Sequence, residues 1–137
     1  FYSINGSSGA ILAAVSAAVD KGGQILVARN CHKAVYHAIY LRDLSATYIY
    51  PHEDPKLGIN GGISPGRVEM YLAENPDIQA VLITSPTYGR DRVDGGRGSR
   101  RSRMHYGVPL IVDELTGRIL GFRIIFRCLR RSLVRMW

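Results

Sequence analysis

Apolar and polar positions follow two alternating rhythms along the first 114 residues. Phe1–Ile4 is a short apolar run that predicts a strand, and Asn5-Gly6-Ser7-Ser8-Gly9 predicts a turn. Ala10–Val19 (AILAAVSAAV) is almost wholly apolar and rich in helix formers, which predicts a buried helix. Lys21-Gly22-Gly23 closes it with the glycine common after helix ends. Gln24–Arg29 (QILVAR) predicts a strand. His32–Leu44 sets Val35, Ile39 and Leu41 among polar residues, the pattern of a second helix with one inward face. Thr47–Tyr50 (TYIY) is a β-branched and aromatic strand. Pro51–Ser64 holds two Pro and three Gly and reads as a loop. Ser64-Pro65-Gly66-Arg67 opens a third helix, with Ser as N-cap and Pro at the first helical position, ending near Glu74-Asn75-Pro76. Ala80–Thr84 (AVLIT) and Leu110–Asp113 (LIVD) are two further strands.

Strands alternating with helices at this spacing predict an α/β fold: three αβα layers with a mostly parallel sheet covered on both faces. The strands are continuous apolar runs, as burial on both faces requires. Ligands of such sheets sit at the carboxyl ends of the strands. The polar groups expected there are Asn5–Gly9, Asn30–Lys33, Ser85–Tyr88 and Asp113–Glu114. Together they make a candidate site.

Composition changes this picture little. Of 137 residues, 46% are hydrophobic and 21% charged, a globular mixture that excludes collagen, coiled coil and wholesale disorder. No apolar run reaches the roughly eighteen residues that a membrane helix needs. The two cysteines, Cys31 and Cys128, stand outside any paired motif, which argues against a disulfide scaffold or a zinc site and sets a cytoplasmic location as the expectation. The chain opens on Phe, without the basic start and cleavage site of a signal peptide, so a piece beginning inside a fold is expected.

Charge changes it more. Residues 1–88 carry six Lys/Arg and seven Asp/Glu, a net of −1, whereas residues 89–137 carry twelve and four, a net of +8. All twelve basic residues of the second part are Arg. One reading is a basic face that grips nucleic acid or another anion through Arg97, Arg100, Arg101, Arg103, Arg127, Arg130, Arg131 and Arg135. Aromatic residues for base stacking are sparse among them, which argues against it.

The candidate groups allow specific chemistry. Ser7 and Ser8 lie in a Gly-flanked turn opening a helix, where backbone N–H groups and the helix dipole favour an anion such as phosphate; a plain helix cap is the alternative. His32 could stack on an aromatic ligand or move a proton, or simply cap a helix or fill the core. Asp113 ends a very apolar strand, where a carboxylate needs a cationic partner: a protonated ring nitrogen of a cofactor, or a neighbouring Arg.

Taken together, FYSINGSSGAILAAV, ILVARNCHKAVYHAIYL, the YIYP…GINGGISP run, VLITSPTY and YGVPLIVDE resemble the ornithine/lysine/arginine decarboxylases, pyridoxal-phosphate (PLP) enzymes of the aminotransferase-type fold. The matching stretches are ordered and correctly spaced across residues 1–114. The resemblance implies a partial, incomplete PLP-binding major domain over residues 1–114. It also implies roles: Ser7 and Ser8 on the cofactor phosphate, His32 stacked on the pyridine ring, and Asp113 paired with the pyridine nitrogen. Thr87 and Tyr88 would line the pocket. The implied reaction removes the α-carboxylate of a basic amino acid, giving a diamine or polyamine. The implied partners are that substrate and further copies of the chain in a homo-oligomer.

The chain departs from the family after Tyr88 and after Glu114. Leu115–Phe122 stands where the family reads Ala-His-Gly-Ala-His-Phe-Gly-Phe, and codons exist for which one restored G converts the first into the second. The same shift turns Arg123–Arg127 into Pro-His-Tyr-Phe-Pro and Leu133–Trp137 into a run containing Gly-Ala-Asp-Val, while removing one base turns Gly89–Val93 into Asp-Gly-Ile-Val-Ser. The expectation is that residues 89–103 and 115–137 are read out of frame, with the Arg-only basicity a product of GC-rich codons. The family's Schiff-base lysine lies in a Ser-x-His-Lys segment that this sequence does not contain; Lys21, Lys33 and Lys56 do not match it. The chain as written is therefore expected to lack decarboxylase activity, with noncovalent binding of PLP through Ser7 and Ser8 as a third reading.

Overall fold

A computed structural model of the chain describes residues 6–54, 58–85, 107–114 and 124–130, the side chains of Asp54 and 124–130 excepted. The described elements are α1 (Gly6–Ala18), β1 (Gln24–Ala28), α2 (Lys33–Arg42), β2 (Ser45–Ile49), β3 (Glu53–Asp54), β4 (Ile59–Asn60), α3 (Pro65–Glu74), β5 (Ile78–Thr84), β6 (Gly107–Asp113) and β7 (Ile124–Arg130).

The main sheet has the order β2-β1-β5-β6-β7. β2, β1, β5 and β6 run parallel, and β7 pairs antiparallel with β6. The expected mostly parallel sheet is therefore present. Parallel neighbours need crossover connections, and α2 supplies the first, from β1 to β2. The second returns through α3 to β5 on the other side of β1.

The two faces of the sheet carry separate cores. Ile11, Ala14, Val15 and Val19 of α1 and its end join Val35 and Ala38 of α2 over Ile25, Val27, Leu82 and Ile111. Val68 and Leu72 of α3 pack on Leu26, Ala28, Val81 and Val108 from the other side. Adjacent strand residues thus feed opposite layers, as the period of two dictates. Both sides being covered explains why Ile25–Ala28 and Ala80–Ile83 read as unbroken apolar runs.

Several boundaries differ from the sequence expectation. α1 starts at Gly6, so Ser7, Ser8 and Gly9 belong to its first turn and not to a preceding turn. It is buried along one face only, with Ala13, Ser16 and Ala17 exposed. Small side chains make a helix look apolar all round without obliging it to be covered. The presumed loop 51–64 contains the antiparallel pair β3–β4, joined at Glu53↔Asn60 and Asp54↔Ile59. β5 and β6 each begin earlier than expected, at Ile78 and Gly107. β7 was not anticipated; it lies in a segment with no expected pattern and finds its place through the edge of β6. The expected strand Phe1–Ile4 lies outside the described residues.

The amino end of the sheet is tied by polar contacts. Gly22 takes a left-handed conformation (φ +78°) and its N–H donates to Arg42 O (3.0 Å). Asp20 N donates to Gln79 Oε1 (2.8 Å), and Gln79 Nε2 returns a bond to Asp20 Oδ2 (3.2 Å). These contacts hold the α1–β1 turn against the end of α2 and the start of β5.

Candidate active site

At the other end of the sheet, the carboxyl ends of β1, β5 and β6 meet the start of α1. α1 reaches β1 through the short turn 19–23, so it runs back over the sheet and its first turn lies at the strands' carboxyl ends. α1 also packs against α2 and crosses β5 and β6. Between β1 and β5 the chain changes direction, β2 lying to one side and β5 to the other, with α2 and α3 on opposite faces. Crevices at such a switch point are where open α/β sheets hold ligands.

The strand registers place polar residues in a row. Val27 pairs with Tyr48 and with Leu82, and Leu82 with Ile111. Val27, Leu82 and Ile111 all belong to the core under α1 and α2, with Tyr48 packed against it. Two residues further along each strand, on the same face, come Tyr50, Arg29, Thr84 and Asp113. Thr84 and Asp113 are paired in register on neighbouring strands. The row is thus polar where the one beneath it is apolar.

Asp113 is 2% exposed and Thr84 4%, the two buried polar side chains among the described residues. Ser85 N donates to Asp113 O (3.0 Å), continuing the β5–β6 ladder past Thr84. A carboxylate at this depth keeps its charge only opposite a cation or hydrogen-bond donors. Two side-chain atoms at this end, Thr84 Oγ1 and Asn30 Oδ1, are buried without a hydrogen-bond partner among the described residues.

His32 is the N-cap of α2: its backbone is extended and its Nδ1 accepts from Ala34 N (3.2 Å). Of the alternatives open from sequence, the cap is therefore realised. The cap also holds the half-buried imidazole at the carboxyl end of β1. Ser7 is half-buried and Ser8 exposed in the first turn of α1, which carries no acidic residue there. That leaves the helix start electrostatically receptive to an anion.

Arg29 lies over the rings of Tyr36 and Tyr48, 5.5 and 5.6 Å from their centroids. Its Nη1 donates to the Tyr36 hydroxyl, which in turn donates to Arg29 O (3.1 Å). The nearby Tyr36 oxygen also pushes the guanidinium pKa upward. Burial pushes the Cys31 thiol above its ordinary range, the Tyr36 hydroxyl opposes this through a hydrogen bond, and the charge of Asp113 adds to the rise.

Of the residues expected from sequence, Ser7, Ser8, His32 and Asp113 gather at this one end of the sheet. Thr87 and Tyr88 lie outside the described residues. Sequence reasoning points to neither Thr84 nor Arg29 as a site residue, and it includes Cys31 only within the run Asn30–Lys33. The signal for Thr84 was its place at the end of an apolar strand, two residues past a core position.

The Orn/Lys/Arg decarboxylase major-domain family model matches residues 1–125. An arginine decarboxylase of Bacillus cereus is 38% identical over 122 residues, covering 89% of this chain and 26% of the relative. The chain spans about a quarter of the length of such curated relatives. The constitutive lysine decarboxylase of E. coli superposes with a TM-score of 0.51 at 29% identity, over 61% of this chain and 13% of that one. Cystalysin of Treponema denticola, whose structure contains a pyridoxal 5'-phosphate cofactor, superposes with a TM-score of 0.61 at 16% identity, over 80% of this chain and 27% of that one. At that identity the likeness is one of fold: an incomplete aminotransferase-like domain.

Proposed function

The chain belongs to the Orn/Lys/Arg decarboxylase family, and on that premise we propose that its carboxyl-end crevice is the cofactor-holding part of a PLP-dependent decarboxylase of basic amino acids. The observation that carries this reading is the buried Asp113 at the end of β6, on the face that α1 covers. The donor set fits the cofactor: an anion-receptive helix start, a ring held in place by its own cap, and a buried carboxylate. The Thr84 and Asn30 oxygens, buried without a hydrogen-bond partner among the described residues, lie at the same end.

The roles follow from chemistry. The N–H groups opening α1, with the Ser7 and Ser8 hydroxyls, bind the phosphate dianion. His32 orients the pyridine ring by stacking, its cap preventing rotation. Asp113 holds a proton on the ring nitrogen, and its burial keeps water from competing. When bound there, the cofactor would supply an electron sink to a decarboxylation. Thr87 and Tyr88 are assigned to the pocket wall on the family resemblance alone. The substrate is arginine, lysine or ornithine, the intact enzyme a soluble homo-oligomer of the cytoplasm. Residues 1–114 are read as a partial PLP-binding domain, interrupted at 89–103 and followed at 115–137 by out-of-frame segments, which resequencing of the locus tests base by base.

The binding test compares PLP with pyridoxal, which lacks the phosphate, by absorbance titration of the 137-residue chain. PLP should bind more tightly, and the Ser7→Ala/Ser8→Ala double variant should remove the difference. Asp113→Asn should weaken both ligands. Equal binding of PLP and pyridoxal by the unaltered chain would refute the assignment.

A further inference from the structure

Thr84 is a buried hydroxyl with no hydrogen-bond partner among the described residues. Such groups are rare in folded proteins, because burial strips water from them and leaves the loss uncompensated. Thr84 cannot readily turn its oxygen elsewhere, since a β-branched side chain is stiff at its first torsion. A valine would fill nearly the same space without the unmet bond. The position is also specific: Thr84 is the last residue of β5, in register with Asp113 on β6 and on the same sheet face. On the other side along the row stands Arg29 at the end of β1.

We propose that Thr84 is a ligand-binding residue whose hydroxyl bonds a polar atom of the phosphorylated pyridine cofactor resting against Asp113. The inference rests on the cofactor reading above but adds a contact that reading does not need. The ligand would supply the partner that the described residues do not. This gives Thr84 a signature that a structural threonine lacks: removing the hydroxyl should harm binding while sparing, or raising, the stability of the ligand-free chain.

The probe is pyridoxine 5'-phosphate, which has no aldehyde and so cannot attach covalently to surface lysines. Its affinity would be measured by fluorescence titration, and ligand-free stability by thermal unfolding, for the full chain and for Thr84→Val, Thr84→Ser and Asp113→Asn. Thr84→Val should bind about five- to tenfold more weakly, the loss expected for one hydrogen bond, with Tm unchanged or higher. Thr84→Ser, which keeps a hydroxyl, should stay much closer to the unaltered chain. If Thr84→Val binds normally while Asp113→Asn weakens binding, the Thr84 contact is wrong and the cofactor reading stands. A fall in Tm for Thr84→Val would assign the hydroxyl to the protein's own framework and overturn the proposal. If the unaltered chain does not bind the probe, both readings fail together.

Discussion

His32 carries two separable duties at one position, a helix cap and a ring held at the carboxyl end of β1. His32→Ala removes both and should cost about 1 kcal/mol of stability in urea unfolding. His32→Asn restores a capping oxygen without the ring, so stability should return while affinity for pyridoxine 5'-phosphate stays low. Equal affinity of the Asn variant and the unaltered chain would leave His32 a cap and nothing more. Cys31 offers a pH handle at the same end. Its folded pKa is raised above the ordinary 9.0, mainly by burial. A raised pKa means that the folded chain keeps the proton which the unfolded chain releases first. The corresponding stability is whole below pH 9 and is lost as pH climbs through the folded value. Stability, measured by urea unfolding from pH 8 upward, should fall off less steeply for Cys31→Ala than for the unaltered chain. Neither residue role was legible from composition. His32 was visible because it follows a strand and precedes a helix pattern, whereas Thr84 was hidden inside an apolar run.

At the scale of elements, α2 is closed by a residue poorly suited to its place. Asp43 sits in the left-handed region (φ 55°), where its N–H donates to the Ile39 and Tyr40 carbonyls. Glycine reaches that conformation without steric cost. Asp43→Gly lifts a left-handed backbone cost of about 1–2 kcal/mol against glycine's own entropic cost of about 0.5–1 kcal/mol, so the urea midpoint should rise slightly. Gly23 shows the opposite constraint. A Cβ there would stand 2.5 Å from Gln79 Oε1 and 3.0 Å from Asp20 O, displacing the amide that links the α1–β1 turn to β5. Element identity for α1, α2, α3 and the four parallel strands followed from hydrophobic rhythm and turn residues. The helix start at Gly6 did not, because Gly and Ser are turn formers until packing draws them into a helix.

At the scale of the whole molecule, the site depends on three strand ends and two helix starts converging from positions more than a hundred residues apart, from Gly6 in α1 to Asp113 in β6. In the proposed reading, activity also needs a Schiff-base lysine, which the family resemblance puts in a Ser-x-His-Lys segment. Lys21 lies in the turn at the amino end of the strands, away from the crevice, and Lys33 is an exposed residue opening α2. The 137-residue chain alone, supplied with PLP, should therefore release no more CO2 from arginine, lysine or ornithine than PLP without protein. Release above that control would mean that one of its own lysines serves the reaction. The sequence by itself determined the α/β class, the mostly parallel sheet and the family. These reside in local periodicity and in ordered motifs, which need no knowledge of distant contacts. Only the tertiary structure decided which polar residues share a face. Register between β5 and β6 sets Thr84 beside Asp113, and register is fixed by packing two cores against one sheet. It also decided that β7 joins antiparallel at the edge of β6, because strand pairing is settled by a partner's open backbone groups and not by the strand's own residues.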